Sequence, residues 1–133
     1  MPPVWTVIDQ LELADVTVEV LVSPNVEEVT LIRFQGELFT EHVQTVFESI
    51  ASPSGKWIRS QEKGKTVILD LYELDYVNSL TIGYLANIYN VLYSRQVKLK
   101  LIIAPDKLIH QILEQVGFLQ FPGITFEFER TYI

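Results

Sequence analysis

The side chains best placed for chemistry lie where an apolar segment meets the start of a predicted helix. Val67 to Leu71 is an apolar run interrupted only by Asp70, which is typical of a buried parallel strand. After a short polar stretch, Asn78 and Ser79 stand where the next helix begins. The Ser79 hydroxyl is therefore expected at the carboxyl end of a central strand, the place where open α/β sheets bind their ligands.

Two aspartates and two histidines are the other candidates for catalysis. Asp70 and Asp75 could form an acid–base pair, but we favour a strand-end hydrogen bond for Asp70 and a turn role for Asp75. His42 and His110 lie on different predicted helices and show no metal-ligand spacing. No set of nucleophile, base and orienting group can be assembled. We therefore predict that the protein is not an enzyme and has no catalytic residue, metal or cofactor.

Length and composition narrow the class of protein further. The chain has 133 residues, of which 48% are hydrophobic, so it can bury one sizeable core. It has no cysteine, which excludes disulfides and thiolate chemistry. The net charge of −7 repels nucleic acids and anionic lipids. No signal peptide and no apolar run long enough to insert in a membrane are visible, so we expect a cytoplasmic protein with protein partners.

The order of predicted elements defines the fold class. Strand patterns cover residues 16–22, 28–34, 66–71, 97–104 and 124–130, and helix patterns cover 80–95, 107–116 and a segment that begins with Thr40 as its cap and ends at 52–55. Residues 57–64 are predicted to be a loop. Strand–helix–strand units require parallel crossovers. We predict an α/β fold, a single domain over 1–133 with helices packed on a mixed, mostly parallel sheet, in which residues 1–13 are an N-terminal extension or an edge strand.

The helix predicted over residues 80–95 should have a core face and an outer strip. The residues expected on the core face are Ile82, Leu85, Ala86, Tyr89 and Leu92. The expected outer strip comprises Thr81, Tyr84, Asn87 and Ile88. This strip is either a partner contact or an ordinary solvated face.

Three segments in this order resemble the STAS domain, a family named for sulfate transporters and anti-sigma factor antagonists. Residues 29–38 resemble its strand that ends in Gly-Glu-Leu, and residues 67–76 resemble its central strand and the loop to an aromatic residue. Residues 78–83, Asn-Ser-Leu-Thr-Ile-Gly, fall on the family pattern Asp-Ser-Ser-Gly-Leu-Gly. The resemblance covers roughly residues 14–130.

The resemblance implies a regulatory binding protein. In anti-sigma factor antagonists the first serine of the pattern is phosphorylated by a kinase that is itself the anti-sigma factor, and phosphorylation abolishes binding. Ser79 is the matching residue, with Thr81 as the less favoured alternative. The partner that the resemblance implies is a serine-protein kinase or anti-sigma factor. The chain itself has no kinase motif, so it would be the substrate of that kinase. The implied partner-binding residues are Glu37, Phe39, Thr40, Asn78, Ser79, Leu80, Thr81 and Tyr84.

Departures from the family pattern leave two other functions open. Asn78 replaces the aspartate before the serine, Leu80 replaces the second serine, Thr81 replaces a glycine, and Phe39 stands where an aspartate is usual. The first alternative is an unphosphorylated scaffold subunit of a signalling or transport complex. The second is a small-molecule module that binds a nucleotide or lipid in the crevice beside Asn78.

The last predicted strand suggests self-association. Its apolar residues alternate with polar ones, so one of its faces must be covered. We expect the family's closing helix to be absent or very short, which leaves the amino-terminal segment or a second copy to cover that face. A homodimer is therefore one expectation.

Overall fold

A six-stranded mixed sheet forms the centre of the structure, a computed structural model that describes residues 3–130 and 132. The strands are β1 (Thr6–Glu12), β2 (Val16–Val22), β3 (Val29–Glu37), β4 (Thr66–Tyr76), β5 (Lys98–Ile102) and β6 (Ile124–Glu127). The helices are α1 (Thr40–Glu48), α2 (Lys56–Arg59), α3 (Ser79–Ser94) and α4 (Leu108–Gln115), followed by a 3₁₀ turn at Phe118–Gln120.

The sheet follows the chain in simple order, from β1 at one edge to β6 at the other. β1, β2 and β3 pair in antiparallel fashion, whereas β3, β4, β5 and β6 are parallel. Each parallel connection contains at least one helix. The predicted α/β class, with a mixed and mostly parallel sheet, is confirmed.

Each face of the sheet is covered differently. All four helices bury their apolar residues on one face, where they form the main core with inward residues such as Phe34, Leu69 and Leu101. The opposite face has a smaller cluster that includes Leu31 and Ile68, partly covered by aromatic residues. The helices therefore form one layer on the sheet, and α1 and α3 begin shortly after the carboxyl ends of β3 and β4.

Several predicted boundaries differ from those of the structure. β4 continues to Tyr76, because residues 73–76 keep pairing with β3 after an irregularity in the register. Residues 56–59 form a short helix that overlaps the segment predicted to be a loop, because Ile58 packs fully into the core. β5 is shorter than predicted, and β6 ends at Glu127 rather than at residue 130.

The β6 edge carries the apolar residues that led us to expect self-association. Phe126 and Phe128 are 39% and 40% exposed. Phe128 packs edge-on against His110 of α4, with ring centroids 5.0 Å apart. A homodimer at this edge stays a prediction, and light scattering over a range of concentrations tests it.

Candidate binding face at the starts of α1 and α3

The starts of α1 and α3 lie side by side because of the sheet topology. β3 and β4 are parallel neighbours, so their carboxyl ends reach the same edge of the sheet. Glu37 pairs with Tyr76 in register, and the Leu38 amide donates to the Tyr76 carbonyl at 2.9 Å. α1 follows β3 within three residues and α3 follows β4 within three residues. Their amino ends therefore form one continuous surface.

Asn78 links the two helix starts through its side chain. Its Oδ1 accepts a hydrogen bond from the Thr81 amide at 3.3 Å, which caps α3 as the sequence predicts. Its Nδ2 donates to Thr40 Oγ1 at 2.7 Å. Thr40 is not the cap of α1, as had been predicted, because Phe39 occupies the N-cap position and makes no side-chain cap bond. The Thr40 hydroxyl is instead used to connect α1 with α3.

Ser79 is the first residue of α3 and is exposed to solvent. Its hydroxyl makes no hydrogen bond within residues 3–130 and 132. The neighbouring Leu80 is 46% exposed. Tyr76 is 38% exposed, and its ring lies 5.1 Å from that of the half-buried Phe39. An accessible hydroxyl is thus placed among exposed apolar side chains at a helix amino terminus.

The outer strip predicted on α3 is wrong for two of its four residues. Thr81 is 1% exposed and Ile88 is completely buried. Both lie on the stripe of Leu85 and Leu92, because positions separated by three, four and seven residues share one face of a helix. Thr81 Oγ1 is buried and has no hydrogen-bond partner in the described part of the chain. A kinase or partner could not reach this hydroxyl without opening the start of α3.

Tyr84 is half-buried between α1 and α3 and offers only part of its ring to solvent. The ring stacks on Phe47 with centroids 5.1 Å apart, and the hydroxyl donates to Glu48 at 3.2 Å. Loss of hydration and the Glu48 carboxylate together raise the pKa of Tyr84. Tyr84 is therefore a protonated hydrogen-bond donor at neutral pH.

A shallow groove extends the surface along α3. Its part nearest Ser79, about 370 Å³, is lined by Leu80, Gly83, Tyr84 and Asn87. A second part of about 440 Å³ shares Tyr84 and Asn87 and reaches the loop after α1. Polar and charged side chains such as Arg59 line this second part. The groove gives a partner room to contact α3 beyond its first turn.

The two aspartates considered as an acid–base pair have separate structural partners. Asp70 is completely buried, on the sheet face opposite the helices, and accepts hydrogen bonds from the Tyr72 amide at 3.0 Å, from Arg130 Nε at 3.0 Å and from the Tyr132 hydroxyl. Asp75 forms an exposed ion pair with Lys107 at 2.6 Å. Asp70 is thus part of a buried hydrogen-bond network, whereas Asp75 forms a surface ion pair that contributes little to stability.

Two features of this surface were missed from sequence. The first is the exposure of Tyr76 beside Phe39, which depends on the continuation of β4. The second is the position of the turn between β1 and β2, whose Asp15 carbonyl accepts a hydrogen bond from the amide of the exposed Glu37 at 2.8 Å. Gly36, with a φ of +107°, was a signal for such a close backbone approach.

Comparison with known proteins identifies the family. The model of the STAS domain family matches residues 17–131. The chain belongs to the STAS domain family. A comparison with curated protein sequences gives no significant match.

A solved structure supports the fold of this STAS domain. The crystal structure of an anti-sigma factor antagonist from Mycobacterium paratuberculosis superposes with a TM-score of 0.64 and 15% sequence identity. The match covers 86% of this chain and 90% of that protein. At this level of identity the likeness concerns the fold alone. Within the described residues, no helix has the length and apolar character needed to cross a membrane.

Proposed function

We propose that this STAS domain is a regulatory binding protein of the anti-sigma factor antagonist type. Its partner is a serine-protein kinase or anti-sigma factor, which binds the face formed by the starts of α1 and α3. Phosphorylation of Ser79 switches this binding off. The observation that carries the proposal is the exposed Ser79 hydroxyl at the amino end of α3, with the exposed apolar residues Tyr76 and Leu80 close to it along the chain.

The position of Ser79 suits a modification that leaves the fold intact. A phosphate adds close to two negative charges and three strong acceptors. The free amides and the dipole at the amino end of α3 stabilise such an anion. Since Ser79 is exposed, a phosphate there displaces no core residue. The modified domain should therefore fold as the unmodified one does.

The surrounding residues explain why the same phosphate should abolish binding. Leu80 and Tyr76 present apolar surface next to Ser79. A partner that covers this surface excludes water from the serine as well. A neutral hydroxyl tolerates this exclusion, whereas a charged phosphate loses hydration that an apolar contact cannot replace. Among the residues implied for the interface, Thr81 is buried and would contribute only by holding the helix start in place.

The proposal is tested by comparing one interaction in three variants expressed in the native host. Ser79→Ala should retain the partner that co-purifies with the wild-type protein, and Ser79→Asp should lose the same partner. Ser60→Asp is the control for an added surface charge, because Ser60 is also exposed and precedes Gln61, whose carbonyl accepts a hydrogen bond from Arg95 at the far end of α3. Its circular dichroism spectrum is compared with that of the wild type, because the change removes the bond from the Ser60 hydroxyl to the Lys56 carbonyl. Mass spectrometry of the native protein should find phosphate on Ser79. Equal recovery of the partner with Ser79→Asp and wild type would refute the switch.

A further inference from the structure

One imidazole and two carboxylates meet beside α1. Asp15 lies in the turn between β1 and β2, and Glu41 and His42 lie in the first turn of α1. One ligand atom from each of the three residues lies within 4.8 Å of the other two. No sequence pattern indicates this cluster, because Asp15 is distant from His42 along the chain and is brought close to it only by the pairing of β2 with β3.

The backbone fixes the position of this cluster. The Asp15 carbonyl accepts a hydrogen bond from the Glu37 amide at 2.8 Å. Gly36 makes the contact possible, since a Cβ at that position would lie 2.2 Å from the Asp15 carbonyl oxygen. α1 begins only three residues after Glu37. The turn and the helix are therefore held together by main-chain contacts, so the backbone that carries the three side chains is in place before any ligand binds.

His42 points a buried and unsatisfied atom into the cluster. Its Nδ1 is inaccessible to solvent and has no hydrogen-bond partner among the residues that the structure describes. The nearest carboxylate oxygen, Asp15 Oδ2, is 3.7 Å away, which is too long for a hydrogen bond. Two donors on one tetrahedral Zn²⁺ ion lie about 3.4 Å apart, given metal–ligand distances of about 2.0–2.2 Å. The 3.7 Å between His42 Nδ1 and Asp15 Oδ2 is close to the separation that a shared ion would impose.

We propose that Asp15, Glu41 and His42 bind a divalent transition-metal ion such as Zn²⁺. An imidazole nitrogen with two carboxylates suits zinc rather than magnesium or calcium, which prefer oxygen ligands alone. The positive end of the α1 dipole opposes a cation, and the two carboxylate charges outweigh it. The ion would join the β1–β2 turn to the start of α1. The proposal does not depend on Ser79 or on any protein partner.

Calorimetric titration of the full chain with Zn²⁺ tests the proposal. The wild-type protein should bind one ion. Because even second-shell changes weaken metal sites by about 10- to 100-fold, removal of a direct ligand in His42→Gln or Asp15→Asn should weaken binding by about 100-fold or more. His110→Gln is the matched control, since His110 also has a carboxylate at 3.4 Å, that of Glu114, but no third ligand among the residues that the structure describes. This variant should bind as the wild type does.

Two further measurements separate a metal site from a loss of folding. Glu41→Gln changes an exposed residue, so it should keep the wild-type circular dichroism spectrum and still bind Zn²⁺ more weakly. Zn²⁺ should raise the thermal midpoint of the wild type but not that of His42→Gln. The absence of saturable binding to the wild type would overturn the proposal. Undiminished binding by both His42→Gln and Asp15→Asn would overturn it as well.

Discussion

Replacement of Asn78 by alanine should loosen the joint between the starts of α1 and α3. The change removes the cap bond to the Thr81 amide and the bond to Thr40 Oγ1. Loss of an N-cap costs about 1 kcal/mol, and the bond to Thr40, which is exposed, adds about 0.5 kcal/mol. We therefore expect the free energy of unfolding to fall by about 1.5 kcal/mol.

This loss is large enough to measure by two methods. An unfolding entropy of about 2.1 cal/mol/K per residue gives about 0.28 kcal/mol/K for this chain, so the thermal midpoint should fall by about 5 °C. Urea titration followed by circular dichroism should give the same free energy with an unchanged dependence on denaturant. An unchanged dependence on denaturant would indicate that the substitution acts on the folded state and leaves the denatured state as it was.

Asn78→Asp is the control, because it keeps the size of the side chain and its ability to make both hydrogen bonds. Its carboxylate can still accept from the Thr81 amide, and the Thr40 hydroxyl can turn to donate to it. A negative charge at the amino end of α3 is favourable, so Asn78→Asp should lie within about 0.5 kcal/mol of the wild type. The reasoning is refuted if Asn78→Ala is as stable as the wild type, or if both variants lose the same stability.

Three further features of the fold are tested by urea titration of single variants, one of them with a control variant. Thr81→Val removes a buried hydroxyl that lacks a partner, so stability should rise by about 1 kcal/mol; a loss would show that the hydroxyl is satisfied. Gly36→Ala should cost about 3 kcal/mol or more, because its Cβ would meet the backbone of the β1–β2 turn. Gly64→Ala should cost about 1 kcal/mol, because Gly64 also has a positive φ but a Cβ there would meet no atom of the described residues within 4 Å apart from its chain neighbours. Tyr132→Phe should cost about 1.5 kcal/mol or more through the lost bond to Asp70. Burial and the bond to Asp70 raise the pKa of Tyr132 in the folded protein. The stabilisation that this bond gives the wild type should therefore be complete below the unfolded pKa near 10 and be lost at higher pH. The stability of Tyr132→Phe should not show this loss.

The features that could be predicted from sequence are those encoded by neighbouring residues. The alternation in β2, the buried run in β4 and the Asn78 cap all depend on short segments, and the structure contains each of them. α2 was missed because four residues are too few to show a helical period. The phase of α3 was misjudged at Thr81 and Ile88, because apolar residues occur around much of this helix and do not define one face.

Contacts between segments that are distant along the chain account for the features that could not be predicted from the sequence. Asp70 is satisfied by Arg130 and Tyr132, which are 60 or more residues away along the chain. The approach of Asp15 to His42 requires the hairpin register and the positive φ of Gly36 together. No local pattern reports such contacts, so the sequence indicated the position of Ser79 but neither the pairing of Tyr76 with Phe39 nor the cluster of Asp15, Glu41 and His42.

The apolar character of the surface around Ser79 determines how strongly a phosphate there would act. Leu80 and Phe39 stand where the family pattern has a hydroxyl and a carboxylate, so fewer polar groups are available near the serine. A hundredfold loss of partner affinity requires only about 2.7 kcal/mol. Removing a charged group from water without a compensating partner costs more than this. The substitutions at positions 39 and 80 should therefore strengthen the switch, because a covered apolar patch excludes the water that a phosphate needs.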